Sequence, residues 1–364
     1  MYKYLEPIKL AIITFPFIAI LFTLPFLIFQ YNKYGYINII RSIIVYSLLL
    51  FSISAYYLVV LPLPGMENIG RFKAPITEYM QLFPFTFVFD FLRETTVQWN
   101  QPSTYLSLFG ERAVLQVVLN VILLMPLGVY LRYYFRKSLI KTIIITFLVS
   151  LFFEITQVTG LYGIYETPYR LFDVDDLMLN TLGGIIGYLL TPKITYFLPR
   201  SDKFDEYVDL KNMQVGFTRR AVASIIDLGI VFSILILLKS FYSIIFVFIF
   251  YYILLPYKTN GKTVGKWMAR MQLKGSKERL MLKEITVRSS IFFLMLSMQI
   301  VLTFITPVMT ILYNIMLLAY IVFKTIKRDK ILFYENISGT KNVIIVKEEV
   351  PQENNIPMRH QQAA

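Results

Sequence analysis

The residues best suited to chemistry lie in the first half of the chain, at helical spacing. Glu154 and Gln157 are three residues apart, and Asp173, Asp176 and Asn180 follow at i, i+3 and i+7. Each set therefore shares one face of a helix. Ionisable groups in or beside an apolar helix are costly and usually functional or paired, so we expect an acidic pocket. Its candidate ligand-binding residues are Asn120, Glu154, Gln157, Arg170, Asp173, Asp176 and Asn180.

Several kinds of chemistry are open to such a pocket. Glu154 and Asp176 can act as a general acid and a general base, because neighbouring carboxylates split their pKa values. Carboxylate oxygens can also hold Mg²⁺ or Mn²⁺. The chain has no cysteine and its one histidine, His360, lies in a polar tail, which excludes thiolate nucleophiles and histidine sites within the fold. In the absence of a nucleophile motif or a complete metal signature, we expect no metal and no cofactor.

A purely structural role is the alternative for the same residues. Asp173 and Asp176 lie at the start of a predicted helix, where the helix dipole favours carboxylates. Arg170 then only neutralises them. Gly183, Gly184 and Gly187, close behind, are best explained by tight helix packing, because small residues let backbones approach.

The composition places these residues in a membrane. Of 364 residues, 56% are hydrophobic and 16% charged, whereas soluble domains carry about 25% charged residues. The apolar residues form long runs, so the predicted fold class is an all-α polytopic membrane protein. The net charge of +13 is typical of basic cytoplasmic loops and does not require a nucleic-acid partner.

Nine membrane spans are predicted, because a bilayer core of about 30 Å requires roughly 20 apolar residues per helix. They are residues 8–29, 39–61, 113–131, 140–158, 174–190, 217–238 and 241–255, and two helices from 287–323 split at Pro307. Basic loops at 132–141 and 256–288 are expected to be cytoplasmic. This orientation puts the N-terminus outside and the C-terminus inside.

The loop between the second and third spans contains an aromatic segment, Leu82–Leu92. Its phenylalanines alternate, but Pro84 and the membrane context argue against a strand. We expect an interfacial or re-entrant segment at the outer leaflet. A hydrophobic plug over the helices is the alternative.

The second half carries a separate polar set. Asp227 lies deep in a predicted span, where a carboxylate needs a partner or a proton. The loop Gly261-x-Thr263-x-Gly265-Lys266 is not a phosphate-binding loop, because its glycine spacing is short by one and Trp267 follows the lysine. For Arg220, Asp227 and Glu335, the structural alternative is a buried ion-pair network that fixes the register of the helices. Basic residues in and after this loop are also candidates for contact with anionic lipid headgroups, with a role in setting the topology as the alternative: Lys262, Lys266, Arg270 and Lys274.

The first half resembles the VanZ-like family over roughly residues 1–195. The resemblance rests on Asn120-x5-Pro126-Leu127-Gly128, on Glu154-x2-Gln157 and on Arg170-x2-Asp173-x2-Asp176-x3-Asn180-Thr181-x-Gly183. It implies a bacterial plasma-membrane protein linked with lower susceptibility to teicoplanin. It supplies a phenotype rather than a mechanism.

Residues 212–345 resemble an RDD domain, after a predicted cytoplasmic linker at 196–211 and before a predicted disordered cytoplasmic tail at 346–364. The residues of its polar network are Arg219, Arg220, Asp227, Gly265, Lys266, Arg288 and Glu335. Glu335 stands where the family usually has Asp. The resemblance implies transport or ligand binding.

Three functions follow from these residues. The favoured one is a non-catalytic envelope protein whose outward pocket recognises a lipid-linked cell-wall precursor, a lipid headgroup or a lipoglycopeptide. The second is a transporter or ion exchanger that uses Asp227 or Glu154 as its carboxylate. The third, least favoured, is an intramembrane enzyme acting on a lipid through Glu154 and Asp176. All three predict membrane lipids as partners.

Overall fold

The computed structural model describes residues 2–61, 63, 76–98, 100–165, 168, 170–240, 242–327 and 329–346. The described chain is helical, with two small two-stranded sheets. Nearly all of the predicted tail at 346–364 lies outside the described residues, as does most of the segment 62–75.

Within the described ranges, seven helices are long and apolar enough to cross a membrane, which confirms the polytopic all-α class. They span Leu5–Tyr34, Ile39–Val60, Arg112–Tyr133, Leu139–Val158, Phe217–Leu238, Leu282–Ile305 and Pro307–Ile326. The other two predicted spans are also helical. Val174–Ile194 has sufficient length, but its acidic start and its glycines make it less apolar, and Ser243–Lys258 is shorter.

Contacts divide the chain into two compact units, Met1–Phe22 with Asn38–Glu206, and Thr23–Ile37 with Tyr207–Ala364. Helix α1 (Tyr2–Tyr34) contributes to both. The other helices of the first unit are α2 (Ile39–Val60), α3 (Thr86–Glu94), α4 (Arg112–Tyr133), α5 (Leu139–Val158), α6 (Gly160–Gly163) and α7 (Val174–Ile194). Two 3₁₀ helices, Ile76–Tyr79 and Pro102–Gly110, and the parallel pair β1 (Met80–Gln81) and β2 (Phe172–Asp173) complete it.

The second unit continues with α8 (Phe217–Leu238), α9 (Ser243–Phe248), a π-helical segment (Ile249–Leu254), α10 (Leu255–Lys258), α11 (Val264–Met268), α12 (Leu282–Ile305), α13 (Pro307–Ile326) and α14 (Phe333–Ser338). Strands β3 (Met271–Lys274) and β4 (Lys341–Ile344) pair antiparallel. The expected break at Pro307 is confirmed. Proline opens α13, where its missing N–H costs nothing, and Thr306 Oγ1 caps the helix by accepting from Met309 N at 3.2 Å.

Residues 23–37, placed in the first domain by the sequence analysis, group with the second unit. Tyr31 is buried in that unit's core, and the Arg219 guanidinium lies 4.5 Å from its ring centre. Asn32 Nδ2 also donates to Met268 O at 2.6 Å. These long-range contacts decide the grouping, which local hydropathy does not encode.

Helices α4 and α7 pack backbone against backbone. A Cβ on Gly183 would collide with the Val121 carbonyl, and one on Gly187 would collide with the Met125 carbonyl. Gly128 of α4 abuts the Gly184 carbonyl in the same way. The prediction that Gly183 and Gly187 serve close packing is confirmed, and Gly128 takes part in the same contact.

Candidate functional site

Helix α4 contributes one wall of a cavity through a stripe of polar residues. Arg112, Gln116 and Asn120 are spaced by four and all line the cavity. Arg112 and Gln116 are exposed and Asn120 is half-buried, so the stripe runs inward from the start of the helix. Only Asn120 was predicted from the sequence. The i, i+4, i+8 spacing was the signal that could have identified the other two.

Helix α5 ends beside the same cavity with two buried polar side chains. Glu154 is 2% exposed, and its Oε2 accepts from the backbone N–H of Asp173 at 2.9 Å. Gln157 Nε2 donates to the carbonyl of Val59 on α2 at 3.0 Å. Glu154 thus ties α5 to the residue that caps α7, while Gln157 ties α5 to α2.

Helix α7 supplies the third wall. Asp173 caps it by accepting from Asp175 N at 2.8 Å, as the structural alternative anticipated. Asp176 accepts hydrogen bonds from the side chains of Asn120 and Gln116. Asp173 therefore both caps α7 and lines the cavity, whereas Asp176 lines the cavity and binds the amides of α4.

Asn180, one turn below Asp176, is the most deeply placed amide of the cavity. Its Nδ2 donates to Ser150 Oγ at 2.9 Å. Its Oδ1 is buried and has no hydrogen-bond partner among the described residues. A buried acceptor of this kind carries a desolvation penalty unless a ligand or water meets it.

The cavity has a volume of about 700 Å³. All seven residues predicted as ligand-binding line it, together with Arg112, Gln116 and several leucines. Its ionisable lining residues are Glu154, Asp173, Asp176, Arg112 and Arg170. The combination of a mostly apolar wall with a few convergent polar groups is typical of a small-molecule or lipid-headgroup site.

Burial makes the side chain of Asp173, at the start of α7, less acidic. The pKa of Asp173 is raised above its usual value by burial, and the nearby charges of Asp175 and Asp90 act in the same direction.

Within the described residues, no group of three acidic or histidine side chains is placed to hold a metal ion.

Asp175 does not line the cavity, although it lies between two residues that do. It is 2% exposed and accepts from Phe85 N at 2.6 Å and from Phe87 N at 3.1 Å. Phe85 has a positive φ of 67°, which is unfavourable for a phenylalanine. The carboxylate of Asp175 thereby holds the start of α3 in place.

The aromatic segment is a short helix, not a strand. Helix α3 leaves Phe89 and Leu92 exposed, with exposed fractions of 68% and 59%, and Phe85, directly before the helix, is 52% exposed. The sequence argument against a strand is confirmed over this helix. Its position at the outer leaflet stays a prediction.

In the second unit, Glu335 is the centre of an ion-pair cluster. Its Oε2 lies 2.8 Å from Arg220 Nη1, and its Oε1 lies 3.4 Å from Arg288 Nη2. Asn342 Nδ2 donates to Oε1 at 2.7 Å, and Leu332 N donates to Oε2 at 3.0 Å. The carboxylate, which is fully buried, joins α8, α12, α14 and β4.

Asp227 forms a second cluster. Its carboxylate accepts from Tyr251 OH at 2.7 Å, from Thr263 Oγ1 at 2.6 Å and from Gly265 N at 2.7 Å. Two of these donors, Thr263 Oγ1 and Gly265 N, hold the loop 261–265 against α8.

The remaining two residues of the predicted network take different positions. Arg219 donates to the carbonyl of Gly35 and stacks on Tyr31, away from both carboxylates. Lys266 is half-buried and interacts electrostatically with Arg288, Asp227 and Glu335. Burial, followed by the Arg288 charge, lowers the pKa of Lys266 to about 8. The predicted network is thus two clusters with Lys266 near both, and Arg219 lies apart.

Together, the apolar helices and the buried polar groups between them define a multi-pass helical membrane protein. Residues 43–197 match the family model described as VanZ/LLP1, so this segment is similar to that family. The match contains the whole cavity. The comparisons give no evidence for an RDD domain in the second half. No match was found among curated proteins or among solved structures.

Proposed function

We propose that the protein lowers the susceptibility of a bacterial cell to teicoplanin-type glycopeptides, and that its cavity recognises a lipid-linked wall precursor or a lipid headgroup. The observation that carries this proposal is the convergence of Glu154, Asp176 and Asn180 on one cavity inside the VanZ-like segment. The cavity combines polar groups that fix a headgroup with apolar walls that accept a chain. We place its mouth on the outer face, where such antibiotics act.

Transport through Asp227 has less support. Its carboxylate accepts three hydrogen bonds, from Tyr251 OH, Thr263 Oγ1 and Gly265 N, an arrangement suited to fixing the loop 261–265 against α8. Catalysis by Glu154 and Asp176 also has less support, because both carboxylates already accept hydrogen bonds within the fold, Glu154 from Asp173 N and Asp176 from Asn120 and Gln116. The two carboxylates therefore serve best as acceptors for a ligand's polar groups.

The test is the susceptibility of a deletion strain to teicoplanin and vancomycin, after complementation with wild type, Glu154→Gln or Asp176→Asn. Glu94→Gln is the matched control, because Glu94 is an exposed carboxylate of α3 outside the cavity. We expect wild type and Glu94→Gln to protect selectively against teicoplanin, and the two cavity variants to lose that protection at equal membrane levels. If wild type leaves susceptibility to both antibiotics unchanged, the proposal is wrong.

A further inference from the structure

The cavity changes character from its exposed end to its buried end. Arg112 and Arg170 are exposed, Asp173 and Asp176 are half-buried, and Glu154 and Asn180 are almost fully buried. The exposed end thus carries two cationic side chains, and the buried end offers carboxylate and amide oxygens. A ligand that matches both ends carries an anionic group outside and a donor-bearing, cationic group inside.

The buried end is short of hydrogen-bond donors. Asn180 uses its amide nitrogen on Ser150, which leaves its buried Oδ1 without a partner among the described residues. Glu154 uses Oε2 on the backbone of Asp173, and an ionised carboxylate can accept several bonds. A group with more than one N–H, such as a primary ammonium, would satisfy these acceptors.

The apolar side of the cavity is accessible along α4. Leu115, Leu119 and Ile122 line the cavity and are 40%, 38% and 50% exposed. Ile122 lies ten residues into α4, about 15 Å along the helix axis. Because α4 is long and apolar enough to cross a membrane, we expect this flank to face hydrocarbon rather than water. An alkyl chain can lie here while its headgroup occupies the polar part.

We propose that the cavity binds, through this flank, a phospholipid whose headgroup carries a phosphate diester and a primary ammonium group. The phosphate lies at Arg112 and Arg170, which suit it because guanidinium groups bind phosphate through paired N–H donors. The ammonium group reaches Glu154, Asp176 and Asn180. The inference rests on the proposed function, since it names the lipid class for the same cavity.

The test is lipid binding to the purified full chain in detergent, measured by native mass spectrometry with three probes of equal acyl chains. Phosphatidylethanolamine has both groups, phosphatidylcholine has no N–H on its nitrogen, and phosphatidylglycerol has hydroxyls and no cation. We expect phosphatidylethanolamine to bind about tenfold more tightly than either of the others, because loss of charged hydrogen bonds has that effect. Equal binding of all three, or no binding of phosphatidylethanolamine, would overturn the proposal. This comparison uses wild type, so it does not depend on the folding of a variant.

Variants then locate the site. Asp176→Asn should abolish the preference for phosphatidylethanolamine over phosphatidylcholine, whereas Arg112→Gln should weaken both lipids. Glu94→Gln should change neither. An unchanged preference in Asp176→Asn would place the binding elsewhere and overturn the assignment. If the lipid preference holds while teicoplanin susceptibility is unaffected by the protein, only the proposed function fails. If susceptibility depends on Glu154 and Asp176 but no lipid preference exists, only this inference fails.

Discussion

The side-chain amide of Asn120 on α4 donates a hydrogen bond to Asp176 on α7, 56 residues further along the chain. The bond joins the same two helices that pack where the glycines of α7 meet the α4 backbone. The polar wall of the cavity and the glycine contact therefore depend on the same packing of α4 against α7. Disturbing the packing should disturb the site.

Gly183→Ala should destabilise the protein, because the added Cβ collides with the Val121 carbonyl. Overpacking of this kind costs about 1–3 kcal/mol. The measurement is thermal unfolding in detergent. In the control, Gly229→Ala, a Cβ meets no described atom within 4 Å, so the variant should be as stable as wild type or slightly more stable. Equal melting temperatures for the two variants would contradict the close contact.

Asp175→Ala should release the start of α3, because the backbone N–H groups of Phe85 and Phe87 lose their acceptor. We expect amide hydrogen exchange in residues 85–87 to accelerate by about tenfold, the effect of losing a charge-assisted bond. Asp90→Ala serves as the comparison, since Asp90 is an exposed carboxylate of the same helix. Unchanged exchange in Asp175→Ala would show that other contacts hold the segment.

Glu335→Ala should strongly destabilise the second unit, because it leaves Arg220 and Arg288 without their carboxylate partner. Removing one partner of a buried ion pair costs about 3–5 kcal/mol. Glu335→Asp should lie between alanine and wild type, since the shorter side chain cannot reach both arginines. The control Asp329→Ala removes the exposed partner of Lys324 and should have a much smaller effect on thermal unfolding.

Asp227→Asn should lower stability by about 1–3 kcal/mol, because an amide N–H would face donors that now meet a carboxylate oxygen. It should leave teicoplanin susceptibility unchanged wherever the variant reaches the membrane at wild-type level. An ion-flux assay in vesicles tests the transporter hypothesis directly. A flux that wild type supports and a stably folded Asp227→Asn abolishes would revive the transporter hypothesis.

Lys266 should make stability depend on alkaline pH. Its pKa is about 8 in the folded protein, below the usual 10.5, because of burial and the Arg288 charge, with Asp227 and Glu335 opposing. Between these two values the unfolded chain binds more protons, so stability should rise with pH across that window. Lys266→Met should remove this rise and be more stable than wild type near about pH 7. The measurement is the melting temperature of each variant as a function of pH. Lys258→Met is the control, because Lys258 is exposed. A rise of stability with pH that persists in Lys266→Met would refute the assignment.

The sequence by itself determined the features that depend on neighbours along the chain. Apolar runs of sufficient length predicted the helices, Pro307 marked a helix start, and spacings of three and four placed Glu154 with Gln157 and Asp173 with Asp176 on common faces. These outcomes follow from helix geometry, which repeats every few residues and is readable locally.

Only the tertiary structure decided what lies opposite each face. It placed Arg112 and Gln116 beside the carboxylates and turned Asp175 away toward Phe85. It separated Arg219 from its neighbour Arg220, because consecutive residues on a helix point about 100° apart and meet different partners. It also grouped residues 23–37 with the second unit. These pairings join residues far apart in the chain, so packing rather than local spacing determines them.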